Sequence, residues 1–270
     1  MTLLYGLQIK GMIQNLTAVQ FARFMTSGRT SPALCVCEDE SGATVGEYVV
    51  KLRSTVQPRG LLNELVGIRL GSHFGLSTPI PALILLEPHL IELIANIEPT
   101  KADMVRGSVG QNFGTQKLIG FSTWPVDKPV LEVMRGVAVD IFAFDALVQN
   151  PDRIHSNPNL LTKGDTIMAF DHEVAFSFVR DIFPSPEPWK LDRQGYLVNH
   201  VFYQQLKAQE LDLSRFFANL CRLSIGTLEE IFADVSTEWN HGDQLKISQH
   251  LLAVREHVEE FVDEIRRFLA

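Results

Sequence analysis

Between Phe144 and Glu173 three polar residues stand where apolar segments stop. The stretch reads FDALVQNPDRIHSNPNLL, then a short polar turn, then IMAFDHE. Asp152 and Asn157 follow a helix-like run, and Asp171 ends a short apolar strand. One carboxylate that positions an attacking hydroxyl, with an amide oxygen and a second carboxylate that hold Mg²⁺, is what phosphoryl transfer from a nucleotide requires.

Each of these residues also has a plainer role. Asp152 follows Asn150-Pro151, a turn-initiating pair, so a turn aspartate accepting local N–H groups accounts for it. Asn157 precedes a proline and reads as another turn residue. Asp171 reads equally as an exposed acid at a strand end, although burying a carboxylate there is costly unless it is paired or meets a cation. The combination says more than its parts, provided the first half of the chain supplies a cation and an acid to go with it.

It does. AVQFARFM alternates imperfectly, TSGRTSP breaks the pattern, and ALCVCEDE resumes a period of two. Ser41-Gly42-Ala43 signals a turn, and EYVVKLRS is a strand that carries Lys51. From Gly60 the period lengthens: Leu61, Leu62, Leu65, Ile68, Leu70 and Phe74 make one helical stripe that includes Glu64. Gly75 is a C-terminal stop, and Pro79 and Pro81 prevent continuation. A strand lysine can reach nucleotide phosphates and a helix glutamate can hold it there. The SGRTSP loop offers backbone N–H groups to phosphate oxygens, a weak signal with its single glycine.

Beyond this, PALILLE and HLIELIAN read as two further strands around Pro88-His89. The glycine- and proline-punctuated stretch that follows reads as a linker over residues 101–130. It separates a first unit, 1–100, from a mainly helical unit, 131–270, with at least three amphipathic helices after Leu206. A small antiparallel sheet with one helix, followed by a helical half, is an α+β arrangement of two lobes. A cleft between lobes is a common ligand site.

Composition excludes some alternatives. At 270 residues with a formal charge of −8, the chain gives no electrostatic reason to expect a broad nucleic-acid or anionic-membrane surface, although net charge leaves room for a local basic patch. Three cysteines fit a reducing compartment, and Cys35 and Cys37, two apart on a strand, read as small core residues. Nothing approaches the ~18–20 apolar residues of a membrane-spanning helix, and no signal-peptide pattern opens the sequence. The reading is a soluble, cytosolic protein. Trp124, Trp189 and Trp239 read as packing or surface anchors, and His250 and His257 as two histidines on one solvated helix face.

The segments SGRTSPALCVC, EYVVKL, LLNELVGIRLGSHFGLSTPIP, FDALVQNPDRIHSNPNLL and FDHEVAF, in this order, resemble the HipA-like kinases. The resemblance is to compact members that lack the N-terminal subdomain of the toxin HipA, and it runs from Ser27 to Phe176. It implies a protein-kinase-like fold and Mg²⁺-dependent transfer of the γ-phosphoryl group of ATP, usually to Ser or Thr of a protein. Carried over by position, Asp152 is the base that orients the acceptor hydroxyl. Asn157 and Asp171 hold Mg²⁺, Lys51 contacts the α/β-phosphates, and Glu64 pairs with Lys51. Gly28, Arg29, Thr30 and Ser31 cover the nucleotide, and Thr30 and Ser31 are candidates for autophosphorylation. Two departures stand out. Ile154 occupies the place where the family has a histidine, leaving His155 out of the catalytic set, and His172-Glu173 follow the metal acid in place of Phe-Gly. A kinase-like enzyme acting on a lipid or small molecule shares the same constellation. A non-catalytic relative that binds a partner, such as an antitoxin-like protein, also stays open.

Overall fold

The computed structural model describes residues 13–25 and 30–270. Gly28 and Arg29 of the expected nucleotide-covering loop therefore lie outside the described residues, whereas Thr30 and Ser31 lie inside them. The chain is a mixed α+β structure.

It begins with strands β1 (Gln14–Phe24), β2 (Ala33–Glu38) and β3 (Thr44–Lys51), joined to β4 (Pro81–Leu86) and β5 (Gly110–Gln116) in a closed barrel of order β1-β2-β3-β5-β4. The β2–β3 turn forms where the sequence signals it. Gly42 takes φ +79°, and the Asp39 carboxylate accepts from the backbone N–H groups of Ser41 and Ala43. Cys35 and Cys37 pack inside the barrel with Leu16, Tyr48, Val50 and Ile84. Burial pushes both thiols up to about 12, so neither is available as a thiolate ligand.

Three expectations about this region need correcting. The sheet is not a small antiparallel one: β1 and β4 pair in parallel, and that contact closes the barrel. HLIELIAN is not a strand. It lies in helix α2 (Pro88–Ile97), which buries Leu90, Ile91, Ile94 and Ala95 against the barrel. These spacings belong to a helical stripe, and Pro88 is tolerated in the first turn, where its missing N–H has no intrahelical partner to lose. With α3 (Ala102–Arg106) the barrel thus carries more than one helix. Finally, GQNFGTQ, expected within the linker, is barrel strand β5, paired to both β3 and β4. Its second glycine is there for space: a Cβ on Gly114 would sit 2.6 Å from Ile84 Cγ1.

Helix α1 (Arg53–His73) crosses from the barrel to the helical half. It is kinked at Gln57, φ 70°, immediately before Pro58, and from Gly60 to Gly71 every residue is buried. The expected single stripe is therefore the wrong picture for this helix, because α1 is covered on all sides. Its exit matches the sequence signal. Gly75 takes φ +75°, Leu76 N donates to Gly71 O, and Gly75 N donates to Ser72 O, each at 3.0 Å.

The remainder is built on α4 (Glu132–Leu147). A three-stranded sheet made by β6 (Ser122–Thr123), β7 (Leu160–Lys163) and β8 (Thr166–Ala169) lies beside it. The short helix α5 (Tyr203–Leu206) precedes α6 (Ser214–Arg222), α7 (Ile225–Phe232), α8 (Asp243–Glu256) and α9 (Val258–Leu269). Trp124 and Trp239 are buried, and Trp189 stacks on His257. His250 does not sit on a solvated face. It is buried against Phe178 at a 3.7 Å centroid separation, and its Nε2 lies 3.0 Å from Leu147 O. Among the described residues no helix is long and apolar enough to cross a membrane.

Candidate active site

Lys51 ends β3, and Glu64 lies on α1 within the first turns after the Pro58 kink. Folding brings them together: Lys51 Nζ hydrogen-bonds to Glu64 Oε1 and lies 2.7 Å from Asp171 Oδ1 and 3.7 Å from Glu173 Oε2. The Lys51 side chain is 12% exposed and that of Glu64 2%. Burial works against the charge on Lys51, but the adjacent Glu64 and Asp171 carboxylates overcome it and hold its pKa above the usual lysine value. Burial pushes Glu64 up to about 7, against the pull of Lys51. Asp171 is pulled down by Lys51 despite its own burial.

Asp171 lies past the end of β8 with φ 58°, a left-handed backbone at a non-glycine residue. Seven non-glycine residues among those described have positive φ. Four of them, Gln149, Asn159, Asp171 and Phe176, fall in the two loops that carry the candidate acids. Such conformations cost on the order of 1–3 kcal/mol each and persist only where the surroundings enforce them. Among the described residues, positive-φ backbone is therefore concentrated at this place.

Asp152 occupies a turn, as its sequence context indicates, and its N–H is 3.2 Å from Asn150 Oδ1. Its carboxylate is also held from the other side. Oδ2 accepts from Asn157 Nδ2 at 2.9 Å and from Asn159 Nδ2 at 3.1 Å. Backbone bonds between Ile154 and Asn157 in both directions close the loop. Two groups of expected residues are thus each assembled by direct contact: Lys51, Glu64 and Asp171 in one, Asp152 and Asn157 in the other. His155 is exposed on the same loop. Thr30 is linked to α1, its carbonyl accepting from Thr55 Oγ1 at 3.2 Å, and Ser31 has φ 46°.

The residue that joins the two groups escaped the sequence reading. Arg153 is 1% exposed; its Nη1 donates to Asn159 O and, at 3.0 Å, to Phe170 O, and its Nη2 faces His172 Nε2 at 3.3 Å. Its Nε donates to Asp145 Oδ2 at 2.6 Å. One planar guanidinium, with five donors in fixed directions, thereby ties the loop next to Asp152 to the chain next to Asp171. Asp145 on α4 anchors it and also accepts from Asn150 Nδ2 and from His200 Nε2, each at 3.0 Å. Phe202 N donates to His200 Nδ1, so the ring proton of His200 sits on Nε2 and points at Asp145. Burial alone pushes the Asp145 carboxyl up, but Arg153 and His200 bring it down to about 2. Burial holds His172 neutral, at about 3. A signal existed in the sequence: two aspartates, at 140 and 145, interrupt an otherwise apolar helix, and a buried acid demands a partner. The partner's identity was not legible.

Glu64, Asp171 and Glu173 offer one carboxylate oxygen each within 4.8 Å of one another. A single ammonium facing three carboxyl groups leaves negative charge of the kind that a hard, oxygen-seeking divalent cation offsets. The residues present fit Mg²⁺.

Comparison with other proteins shows which family the chain belongs to. The crystal structure of a Helicobacter pylori proinflammatory kinase, CtkA, is similar over 96% of this chain and 98% of that one, at 11% identity and a TM-score of 0.43. No curated protein matches the chain in sequence. A family described as HipA-like kinase, however, matches residues 18–267, nearly the whole chain, and the protein belongs to that family.

Proposed function

We propose that this protein is an ATP- and Mg²⁺-dependent kinase that transfers the γ-phosphoryl group to a serine or threonine hydroxyl of a protein. The observation that carries the reading is the buried Lys51–Glu64–Asp171 ion set. A lysine held by an acid on α1 is pre-oriented to meet phosphate oxygens, and an acid beside it can share a metal with those phosphates.

In this reading Glu64 keeps Lys51 extended toward the nucleotide, and Thr30 and Ser31 belong to the loop over its phosphates. Asp171 and Asn157 hold Mg²⁺, which when bound supplies neutralisation of the phosphate charge. The carboxylate of Asp152, fixed by Asn157 and Asn159, takes the proton of the acceptor hydroxyl. Catalysis rests on positioning and electrostatics, with no covalent enzyme intermediate. Phosphate added to Thr30 or Ser31 brings about −1.5 to −2 charge next to the nucleotide phosphates and opposes binding.

The test is transfer from γ-labelled ATP to lysate proteins, with phosphosites mapped on acceptors and on the protein itself. Asp152→Ala is expected to lower transfer by about 10²–10⁴-fold while leaving nucleotide binding intact. Undiminished transfer in that variant removes Asp152 as the base.

A further inference from the structure

The segment that carries the metal acid lies along one face of α1. A Cβ on Gly67 would come within 2.5 Å of His172 Cβ, and one on Gly60 within 3.0 Å of Glu173 Cγ. Between these two points, Asn63 is buried and its Nδ2 donates to both Glu173 O and Ala175 O, each at 2.8 Å. Residues 60, 63 and 67 share one side of the helix, and Glu64 stands next to them facing Lys51. Asp171 is therefore held on both flanks. Arg153 fixes Phe170 O on one side and Asn63 fixes the chain from Glu173 to Ala175 on the other.

We infer that Asn63 is a positioning residue for Asp171, joining α1 and the 171–175 segment into one unit so that Lys51, Glu64 and Asp171 are assembled before any nucleotide arrives. The physical basis is donor count. Both Asn63 amide hydrogens go to main-chain carbonyls of a segment whose Asp171 is in the left-handed region, a conformation its surroundings must enforce. Without those two bonds the carbonyls of Glu173 and Ala175 lose the Asn63 amide as a donor, and one of the two flanks that hold Asp171 against Lys51 is released. The consequence is a kinase whose acid-bearing helix does not swing away from the metal segment. The inference rests on the proposed role of Asp171 in holding the metal.

Two readouts separate its failure from failure of that proposal. The first needs no ligand: amide hydrogen exchange at residues 172–176 in Asn63→Ala is expected to speed up relative to wild type, with exchange in α6 unchanged. The second is Mn²⁺ binding in the presence of a non-hydrolysable ATP analogue, followed by electron paramagnetic resonance. Loss of a group that orients a metal ligand typically weakens metal binding by about 10–100-fold, and that range is expected for Asn63→Ala. The control is Leu220→Ala in α6, which lowers stability far from the site; a purely structural role for Asn63 predicts equal Mn²⁺ affinity in the two variants at equal folded fraction. Asn63→Ser keeps one hydroxyl donor and is expected to fall between wild type and Asn63→Ala; it decides the matter if Asn63→Ala does not fold. Faster exchange together with weaker Mn²⁺ binding supports the inference. Unchanged exchange at 172–176 overturns it whatever the metal does. No Mn²⁺ binding even in wild type overturns both it and the kinase reading.

Discussion

Protonation of His250 offers a direct test of how the site is seated. Its ring stacks on Phe178, just after the Asp171 segment, and its Nε2 reaches Leu147 O, just before the Asp152 loop. Burial lowers its pKa from 6.5 to about 4, the hydrogen bond to Leu147 opposing only part of that shift. Below pH 6.5 the unfolded chain therefore takes up a proton that the folded chain refuses. Stability falls as the pH drops from 6.5 toward 4, and the slope vanishes below the folded value. Integrating between pH 7 and pH 5 gives a loss of about 2 kcal/mol from this one residue. The variant His250→Gln, which does not titrate, is expected to be less stable than wild type at pH 7 through lost stacking, and the gap is expected to narrow by about 2 kcal/mol at pH 5. Urea unfolding followed by the fluorescence of the buried Trp124 and Trp239 measures both differences. His172, held at about 3, adds a loss of the same sign to both proteins and cancels in the comparison. A gap that is the same at the two pH values refutes the assignment of His250 as a buried neutral ring.

Other outcomes follow from packing and charge. Gly67→Ala, whose Cβ meets His172 at 2.5 Å, is expected to lower stability by about 1–3 kcal/mol. Gly136→Ala on the open side of α4, with nothing within 4 Å, should raise it by about 0.5–1 kcal/mol; thermal melts of the pair test the close approach of the acid segment to α1. Asp145→Asn leaves the Arg153 guanidinium buried without its counter-charge and is expected to cost about 3–5 kcal/mol at pH 7. Because the folded Asp145 carboxyl is held at about 2, its contribution is present above pH 3.8 and disappears as the pH falls through the folded value, so the wild-type advantage over Asp145→Asn should shrink between pH 4 and pH 2. Urea titrations across that range detect the change.

What could be read in the sequence shares one property: short range. The β2–β3 turn, the Gly75 stop, the strand with Lys51 and the turn around Asp152 depend on a few consecutive residues, and each formed where its local pattern pointed. Local pattern also misled, as it did for the α1 stripe and for His250, in two strand assignments. HLIELIAN has the β-branched apolar character of a strand, yet its spacing suits a helix lying on a barrel. The glycines of GQNFGTQ read as breakers, although Gly114 is small because Ile84 lies over it. The partner that explains the residue is distant in sequence, so no window around it contains the reason.

The same division runs through the site. By itself the sequence determined that a lysine on a strand, a glutamate on a helix and the Asp152, Asn157 and Asp171 set occur in an order that resembles one kinase family, because motif order survives without coordinates. Tertiary structure decided how they are held. Lys51 meets Asp171 across 120 positions and Arg153 meets Asp145, Asn159, Phe170 and His172 at once. Asn63 reaches across more than 100 positions to the carbonyls of Glu173 and Ala175. A buried charge or amide is costly where its donors go unsatisfied, and which acceptors satisfy it depends on which chain segments the barrel and α1 bring into contact. That information resides in the packing of whole elements.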